Sequence, residues 1–215
     1  FDDELELGGN LAQANTRNQM GVAGTFGKDW WNLRAAYHRA DLTIDSPSLT
    51  TLATTLRQFN FAANADKVLM DDDSVNFIQI GGTIDTGTFV AAAEHIELDA
   101  TDSFLGKNVR EYVMVGVRSG DFLYHVTASK SDDEISHPEA GIPAGVALPV
   151  VGSTNYLIGV LKGAAMQESV HRDVLTLGLR WDVTSGTALK FQFDDVDDDA
   201  EGKQKVFSVA VQTVF

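Results

Sequence analysis

Through much of this chain every second residue is apolar. Met20, Val22, Gly24 and Phe26 oppose Gln19, Gly21, Ala23 and Thr25. After a turn at Gly27, Lys28 and Asp29, the residues Trp31, Leu33, Ala35 and Tyr37 oppose Asn32, Arg34, Ala36 and His38. Successive side chains of a strand point to opposite faces, so this alternation predicts strands with one apolar and one polar face. Ile78, Ile80 and Ile84 continue it against Gln79, Gly81, Thr83 and Asp85. Phe89, Ala91, Ala93 and His95 stand against Val90, Ala92, Glu94 and Ile96, where both sets are mostly apolar and the face assignment stays open. Val109, Val113, Val115 and Val117 oppose Arg110, Tyr112, Gly116 and Arg118, and Phe122, Tyr124, Val126 and Ala128 oppose His125, Thr127 and Ser129. Leu175, Leu177, Leu179, Trp181 and Val183 oppose Thr176, Gly178, Arg180 and Asp182, while Leu189, Phe191 and Phe193 oppose Lys190, Gln192 and Asp194. Last, Phe207, Val209, Val211, Thr213 and Phe215 share a face against Ser208, Ala210 and Gln212, with Val214 out of pattern. Nine strands are expected between residues 18 and 215. A tenth over 4–13 is an option, but Asp2, Asp3 and Glu4 favour a loop there.

The connections alternate in length. Short turns fall near 27–29, 85–87, 119–121 and 184–186, and longer connections near 45–74, 99–108, 131–172 and 197–203. Short turns at one end and long loops at the other are the habit of transmembrane β-barrels, with the short side periplasmic. Parity then assigns an ambiguous stretch. The strands around 122–130 and 173–183 run in opposite senses, so a single extra span at 155–166 is forbidden. Leu157, Val160, Leu161 and Ala164 fit a helical stripe that Ser153 or Thr154 could cap. Pro143 and Pro149 disfavour a pair of spanning strands before it. In the loop at 45–74, Pro47 and Ser48 open a segment in which Leu49, Leu52, Leu56 and Phe59 recur at helical spacing. The expected fold is all-β: a transmembrane antiparallel up-and-down β-barrel or the C-terminal part of one, with short helices in long extracellular loops.

Composition narrows the classes. The 215 residues suit one domain, and the net charge of −15 disfavours nucleic acid, whose phosphates need a basic surface. There is no cysteine, which excludes a disulfide scaffold and cysteine-based zinc sites. No apolar run approaches the ~18–20 residues of a membrane helix, and strand alternation hides apolar content, so a near-zero mean hydropathy is compatible with a membrane barrel. Phe1 is followed by Asp2, Asp3 and Glu4, which is neither an initiator Met nor a signal peptide. Removal of a signal, or absence of N-terminal strands, is expected.

Three segments resemble the porins of Gram-negative outer membranes. The run from Phe26 through Trp30, Trp31 and Tyr37 to His38 looks like a porin hairpin, and Leu175 to Phe193 followed by the closing strand looks like the last three porin strands. The closing strand is similar to the sorting strand of such barrels, although Thr213 stands where an aromatic is common. The similarity covers most of 18–215 and corresponds to the C-terminal portion of a porin of roughly sixteen strands. The resemblance implies one outer-membrane β-barrel domain over 1–215, with 45–74 and 131–172 as extracellular loops. It implies passive diffusion of small hydrophilic solutes or ions through a water-filled channel, and no enzymatic activity. It also implies, as partners, the bilayer and lipopolysaccharide, the barrel assembly machinery reading Phe207, Val209, Val211 and Phe215, and compatibility with a homotrimer. The alternative is a small closed ten-strand barrel with enzymatic or adhesive loops; a soluble β-sandwich binding module is a third class.

Candidate chemistry follows from the faces. Arg34, His38, Arg110, Arg118, Arg180, Lys190 and Asp194 fall on the polar face and would line the pore, with Asp85, Glu94 and Asp182 as counter-charges. Rings of lumen charge set ion selectivity, though the same residues could simply pair and solvate a polar interior. Leu49, Leu52, Leu56 and Phe59 would carry a constriction loop toward these arginines. The acidic runs at Asp71 to Asp73, Asp132 to Glu134 and Asp194 to Glu201 read as loops. Asp195, Asp197, Asp198 and Asp199 could hold Ca²⁺ weakly, but they lack calcium-loop spacing, and a solvated acidic loop is the simpler reading. No other cofactor is expected. The histidines show no metal-ligand spacing, and no nucleophile elbow or phosphate loop is present. His125 and Ser129 share a face but stand ~13 Å apart on a strand, too far for a nucleophile and its base.

Overall fold

A computed structural model describes residues 2–7, 10–100, 103–134, 136–167 and 170–214. Its elements in chain order are β1 (Asp2–Leu7), β2 (Asn10–Lys28), β3 (Trp31–Asp45), α1 (Pro47–Gln58), α2 (Ala62–Val68), β4 (Asp73–Asp85), β5 (Phe89–Ala100), β6 (Gly106–Ser119) and β7 (Phe122–Glu134). They continue with β8 (Ala147–Leu148), β9 (Gly152–Ser153), α3 (Thr154–Gln167), β10 (His171–Thr184), β11 (Thr187–Asp198) and β12 (Gly202–Thr213). Ten strands form one antiparallel up-and-down sheet in the order β1, β2, β3, β4, β5, β6, β7, β10, β11, β12. No helix among the described residues is long and apolar enough to cross a membrane.

The nine strands expected from the alternation are β2 to β7 and β10 to β12. Their turns at one end of the sheet are short for identifiable reasons. Asp85 Oδ1 accepts from the Gly87 backbone N–H at 2.8 Å, and Gly87 sits at φ 87°, a left-handed conformation that suits glycine. Gly120 (φ 56°) does the same between β6 and β7. Each short turn is also stitched to its neighbour, as in Asp85 N–H to Trp30 C=O (2.8 Å) and Asp182 N–H to Asp121 C=O (2.8 Å).

At the other end the connections carry the helices. Pro47 opens α1 at its first turn, where a missing N–H costs nothing, and Asn60 (φ 65°) ends the connection to α2 in the left-handed region. The stretch 155–166 lies inside α3, as parity required. Thr154 does more than open that helix. Its buried hydroxyl accepts from the Val146 N–H at 3.0 Å while its own N–H donates to Val146 C=O at 2.9 Å, fastening the start of α3 to the β8 and β9 hairpin that encloses Pro149.

Two sequence expectations change. Residues 4–13 form neither a loop nor one strand: β1 pairs back on β2 from Leu7 with Asn10 to Asp2 with Asn15. The acidic runs lie largely in strands, with only Asp71, Asp72 and Asp199 to Glu201 in the connections. Asp194, Asp195, Asp197 and Asp198 lie in β11, Asp132 to Glu134 end β7, and Asp73 begins β4. The strands extend beyond the stretch in which one face is apolar, so alternation of hydrophobicity underestimates their length.

The helices have their own core. Ala53 and Leu56 of α1, Ala65 and Val68 of α2, Ile142, and Leu157 and Leu161 of α3 form one buried cluster, flanked by Leu49, Leu52 and Phe59. Asn64 ties the two long connections together, donating to Pro138 C=O at 2.7 Å and Ala140 C=O at 3.0 Å. A second cluster of Ala12, Ile44, Met70 and Phe104 meets Leu49 as well. A bulge in β2 between Arg17 and Met20, where Asn18 takes φ 49°, inverts the faces, so Ala12 and Ile44 belong to the polar face of the sheet. The helical cap is therefore tethered on that side.

Candidate functional site

Strand register converts the alternation into two surfaces. Across one row, Trp31, Ile84, Ala91, Val115, Val126, Leu177, Phe193 and Phe207 are successive partners from β3 to β12, and every one is apolar. These side chains are not core: Val115 is 57% exposed, Leu177 53% and Phe207 67%. On β6 exposure alternates in step, with Val113, Val115 and Val117 exposed and Tyr112, Met114 and Gly116 intermediate. That order is the reverse of a sheet in water. It also resolves β5: Phe89 is exposed with Ala91 and Ala93 on the apolar face, while Glu94 takes the polar one.

The apolar surface is bounded. Leu175 to Val183 covers eight residue steps, about 26 Å at ~3.3 Å each. At the short-turn end it meets aromatic rings: Trp31 packs edge-on to Phe26 (5.5 Å) and Trp30 (6.2 Å), and Phe122 stacks on Trp181 (5.7 Å). At the other end charges begin, and they begin at different rows. The row through Leu33, Ala93, Val113 and Leu175 turns charged at Asp195 and Lys205. The next row turns charged already at His95 and Glu111 and stays so through Lys130, Asp173, Asp197 and Lys203. The apolar band thus crosses the strands diagonally.

The opposite face carries the expected polar residues. Arg118 grips Asp85 with two bonds of 3.0 and 3.1 Å, and Arg180 Nε donates to Asp182 at 2.7 Å. Arg110 holds Asp133, whose side chain is 1% exposed, through a two-pronged contact. Among the described residues Arg34 has no carboxylate in direct contact; its Nε donates to Gln79 at 3.2 Å, and Gln79 in turn donates to Glu94. His38 packs on the Phe77 ring (5.9 Å). Asp194 accepts from Thr176 (2.6 Å) and Gln192 (2.9 Å). Lys190 is exposed, faces Arg180 across the ladder, and holds no ion pair among the described contacts. Register puts Arg118, Leu123, Arg180 and Lys190 in a single row.

Sequence reasoning missed the pair Arg172 and Asp198 (2.6 Å) and the carboxylate of Asp133 on Arg110. Counting back by twos from Arg180 reaches Arg172, so the signal was present but lay past the apolar stretch. The weak calcium set does not converge. Asp195 and Asp197 point to the face opposite Asp198, and Asp198 is engaged by Arg172 and by the N–H groups of Ala200 (2.8 Å) and Glu201 (3.0 Å). Among the described residues no group of three or more histidine or acidic side chains could hold a metal ion. Leu52, Leu56 and Phe59 pack within the helical cap, and Leu49 joins the cap to the sheet. Phe207, Val209 and Val211 lie on the apolar face; Phe215 is outside the described residues.

No protein-family model matches the chain, and no curated protein matches it. Among solved structures, the crystal structure of OccAB4 from Acinetobacter baumannii is similar at 10% sequence identity and a TM-score of 0.44. That similarity covers 98% of this chain and 47% of the other, so the chain spans about half the length of that protein.

Proposed function

We propose that this chain forms wall of an outer-membrane porin, with its apolar face toward lipid and its polar face toward a water-filled channel that passes small hydrophilic solutes or ions. One observation carries the reading: the apolar band is continuous from β3 to β12, exposed, and oblique to the strands. Monomeric soluble proteins rarely expose apolar patches beyond a few hundred Å². Strands of a membrane barrel tilt ≈ 35–45°, so a band that is level in the bilayer must run obliquely across them, ≈ 25 Å tall and edged by aromatics. The bacterial outer membrane is the location this implies.

In this reading Arg34, His38, Arg110, Arg118, Arg180, Lys190 and Asp194 face the channel. The helical cap, tethered through Leu49 to the polar side, narrows its entrance. Lipopolysaccharide surrounds the charged outer rim, and the assembly machinery meets the apolar side of β12 at Phe207, Val209 and Val211. A bilayer leaves no backbone donor or acceptor unpaired. Among the described residues no strand pairs with the far edge of β12, and β1 covers the edge of β2 away from β3 only from Asn10 to Asn15. Further strands, or neighbouring copies as in a trimer, complete the wall. Planar-bilayer recording tests the reading: the protein gives ohmic steps, and removing residues 49–60 enlarges them. Absence of conductance from protein that inserts into the bilayer would refute it.

A further inference from the structure

Two histidines of the polar face are seated in the same way. A Cβ on Gly178 of β10 would coincide with the His125 imidazole, and a Cβ on Gly21 of β2 with that of His38. Register sets each histidine beside its glycine, His125 with Gly178 and His38 with Gly21. Each ring therefore lies down over the neighbouring strand, in space that only glycine leaves open. His125 is half-buried there, with its Nδ1 3.3 Å from Thr127 Oγ1. His38 is exposed and packs on the Phe77 ring of β4 (5.9 Å). Few charges surround them. The row of His125 continues through Gly116, Gly178 and Gln192, all uncharged. Toward the short turns the next row holds Arg118, Leu123, Arg180 and Lys190. Asp85 holds Arg118 and Asp182 holds Arg180, which leaves Lys190 as the cation without a carboxylate among the described residues. Toward the loops the next row holds Met114, Thr127, Thr176 and Asp194, and the Asp194 carboxylate accepts from Thr176 and Gln192. About His38, register places Gly21 and Ala23 on β2, Ala36 and Ala40 on β3, and Val75, Phe77 and Gln79 on β4, none of them titratable.

We propose that His38 and His125 form a proton-operated selectivity element of the channel, neutral in mild alkali and charged in mild acid. This inference rests on the channel reading above. Histidine is the side chain whose ordinary pKa, about 6.5, puts its charge change in the physiological range. Covering a cross-strand glycine needs only a flat ring, which Phe or Tyr also supplies; histidine at both places adds a proton site to the wall. Because each ring lies along the wall, the proton changes the charge of the passage without closing it. No carboxylate stands ready to cancel that charge: Asp85 and Asp182 are engaged by arginines, Asp194 by Thr176 and Gln192, and His38 has no acid beside it. Lumen charge sets ion selectivity, so acid turns the channel toward anions. A unit charge acting at ~8 Å through water changes the ratio of anion to cation permeability about twofold for each proton.

Planar-bilayer recordings of the full chain in a potassium chloride gradient, at about pH 7.5 and about pH 5.5, test this, because Asp and Glu with ordinary pKa values near ~4 stay ionised over that interval. In wild type the anion-to-cation permeability ratio rises roughly fourfold on acidification, one factor of about two from each histidine. His38→Gln and His125→Gln each keep a roughly twofold rise, and the double variant keeps none. Gly178→Ala drives the His125 imidazole off the wall and lowers the single-channel conductance, and His125→Ala in the same chain restores it. A wild-type ratio that does not move with pH overturns the proposal. So does a rise that persists in the double variant, which would assign it to carboxylates, and so does wild-type conductance in Gly178→Ala. Any of these results from a conducting channel overturns this inference alone; a protein that inserts and does not conduct overturns the porin reading and this inference with it.

Discussion

At the scale of single residues, the polar face distinguishes charges that are cancelled from charges that are not. Arg118 and Asp85 stand 3.0 Å apart, and Arg180 and Asp182 2.7 Å. Each pair is a dipole, and beyond a Debye length of ≈ 8 Å little of its field survives. Among the described residues Lys190 has no such partner, so in the channel reading its charge is not cancelled by a neighbour. Replacing Arg118 and Asp85 together by Ala is therefore expected to leave the reversal potential close to wild type, whereas Lys190→Ala shifts it toward cations. Arg118→Glu alone puts two acids together and shifts it further in the same direction. Salt-gradient recordings decide the matter: an unchanged reversal potential in Lys190→Ala would remove it from the ion path. The cations themselves were legible from alternation, but which were neutralised was not. Asp133 sits across the ladder from Asn108, twenty-three positions beyond Arg110, and only the register brings it to that guanidinium.

At the scale of elements, the sheet was readable because period two is a local property, while the packing of the loops is not. The α3 helix followed from strand parity and its stripe of Leu157, Leu161 and Ala164. That Leu56 would meet Leu157 and Leu161 did not, because α1 and α3 belong to different loops and nothing in either stripe names the other. Strand ends were misjudged for a related reason: once β11 passes Phe193, acids fall on both faces, and Asp195 to Asp198 read as loop although the ladder continues to Gly202. Shared packing makes the cap one cooperative unit. Leu56 is fully buried at its centre, so Leu56→Ala is expected to cost ~2–5 kcal/mol of cap stability. Hydrogen exchange should then show protection falling in α1, α2 and α3 together, with the β6 and β7 ladder unaffected. Asn64→Leu, which abandons the Pro138 and Ala140 carbonyls, should loosen the same amides by roughly 1–3 kcal/mol. Loss of protection confined to α1 and α2 in both variants would mean that the two loops open independently.

At the scale of the whole molecule, two chemically distinct faces rather than one core organise the fold. The buried clusters are small and sit with the loops, whereas the sheet turns its largest apolar side chains outward. Adjacent residues on one strand can therefore answer oppositely to the same substitution. Val115 lies in the all-apolar row from Trp31 to Phe207, midway across the band; Met114, one step along β6, faces Thr127 and Ala92 on the polar side. A cation on a lipid-facing midplane site costs ≈ 2–4 kcal/mol, whereas a lumen site remains hydrated. Val115→Arg is accordingly expected to lower the folded fraction in lipid vesicles by that amount in a denaturant titration, and Met114→Arg to stay near wild type while altering conductance. Were the apolar face bathed in water, Val115→Arg would fall within the ±0.5 kcal/mol usual for surface changes and Met114→Arg, half-buried, would be the costlier of the two. The order of the two variants thus reports which side of the sheet meets lipid, independently of whether the channel conducts.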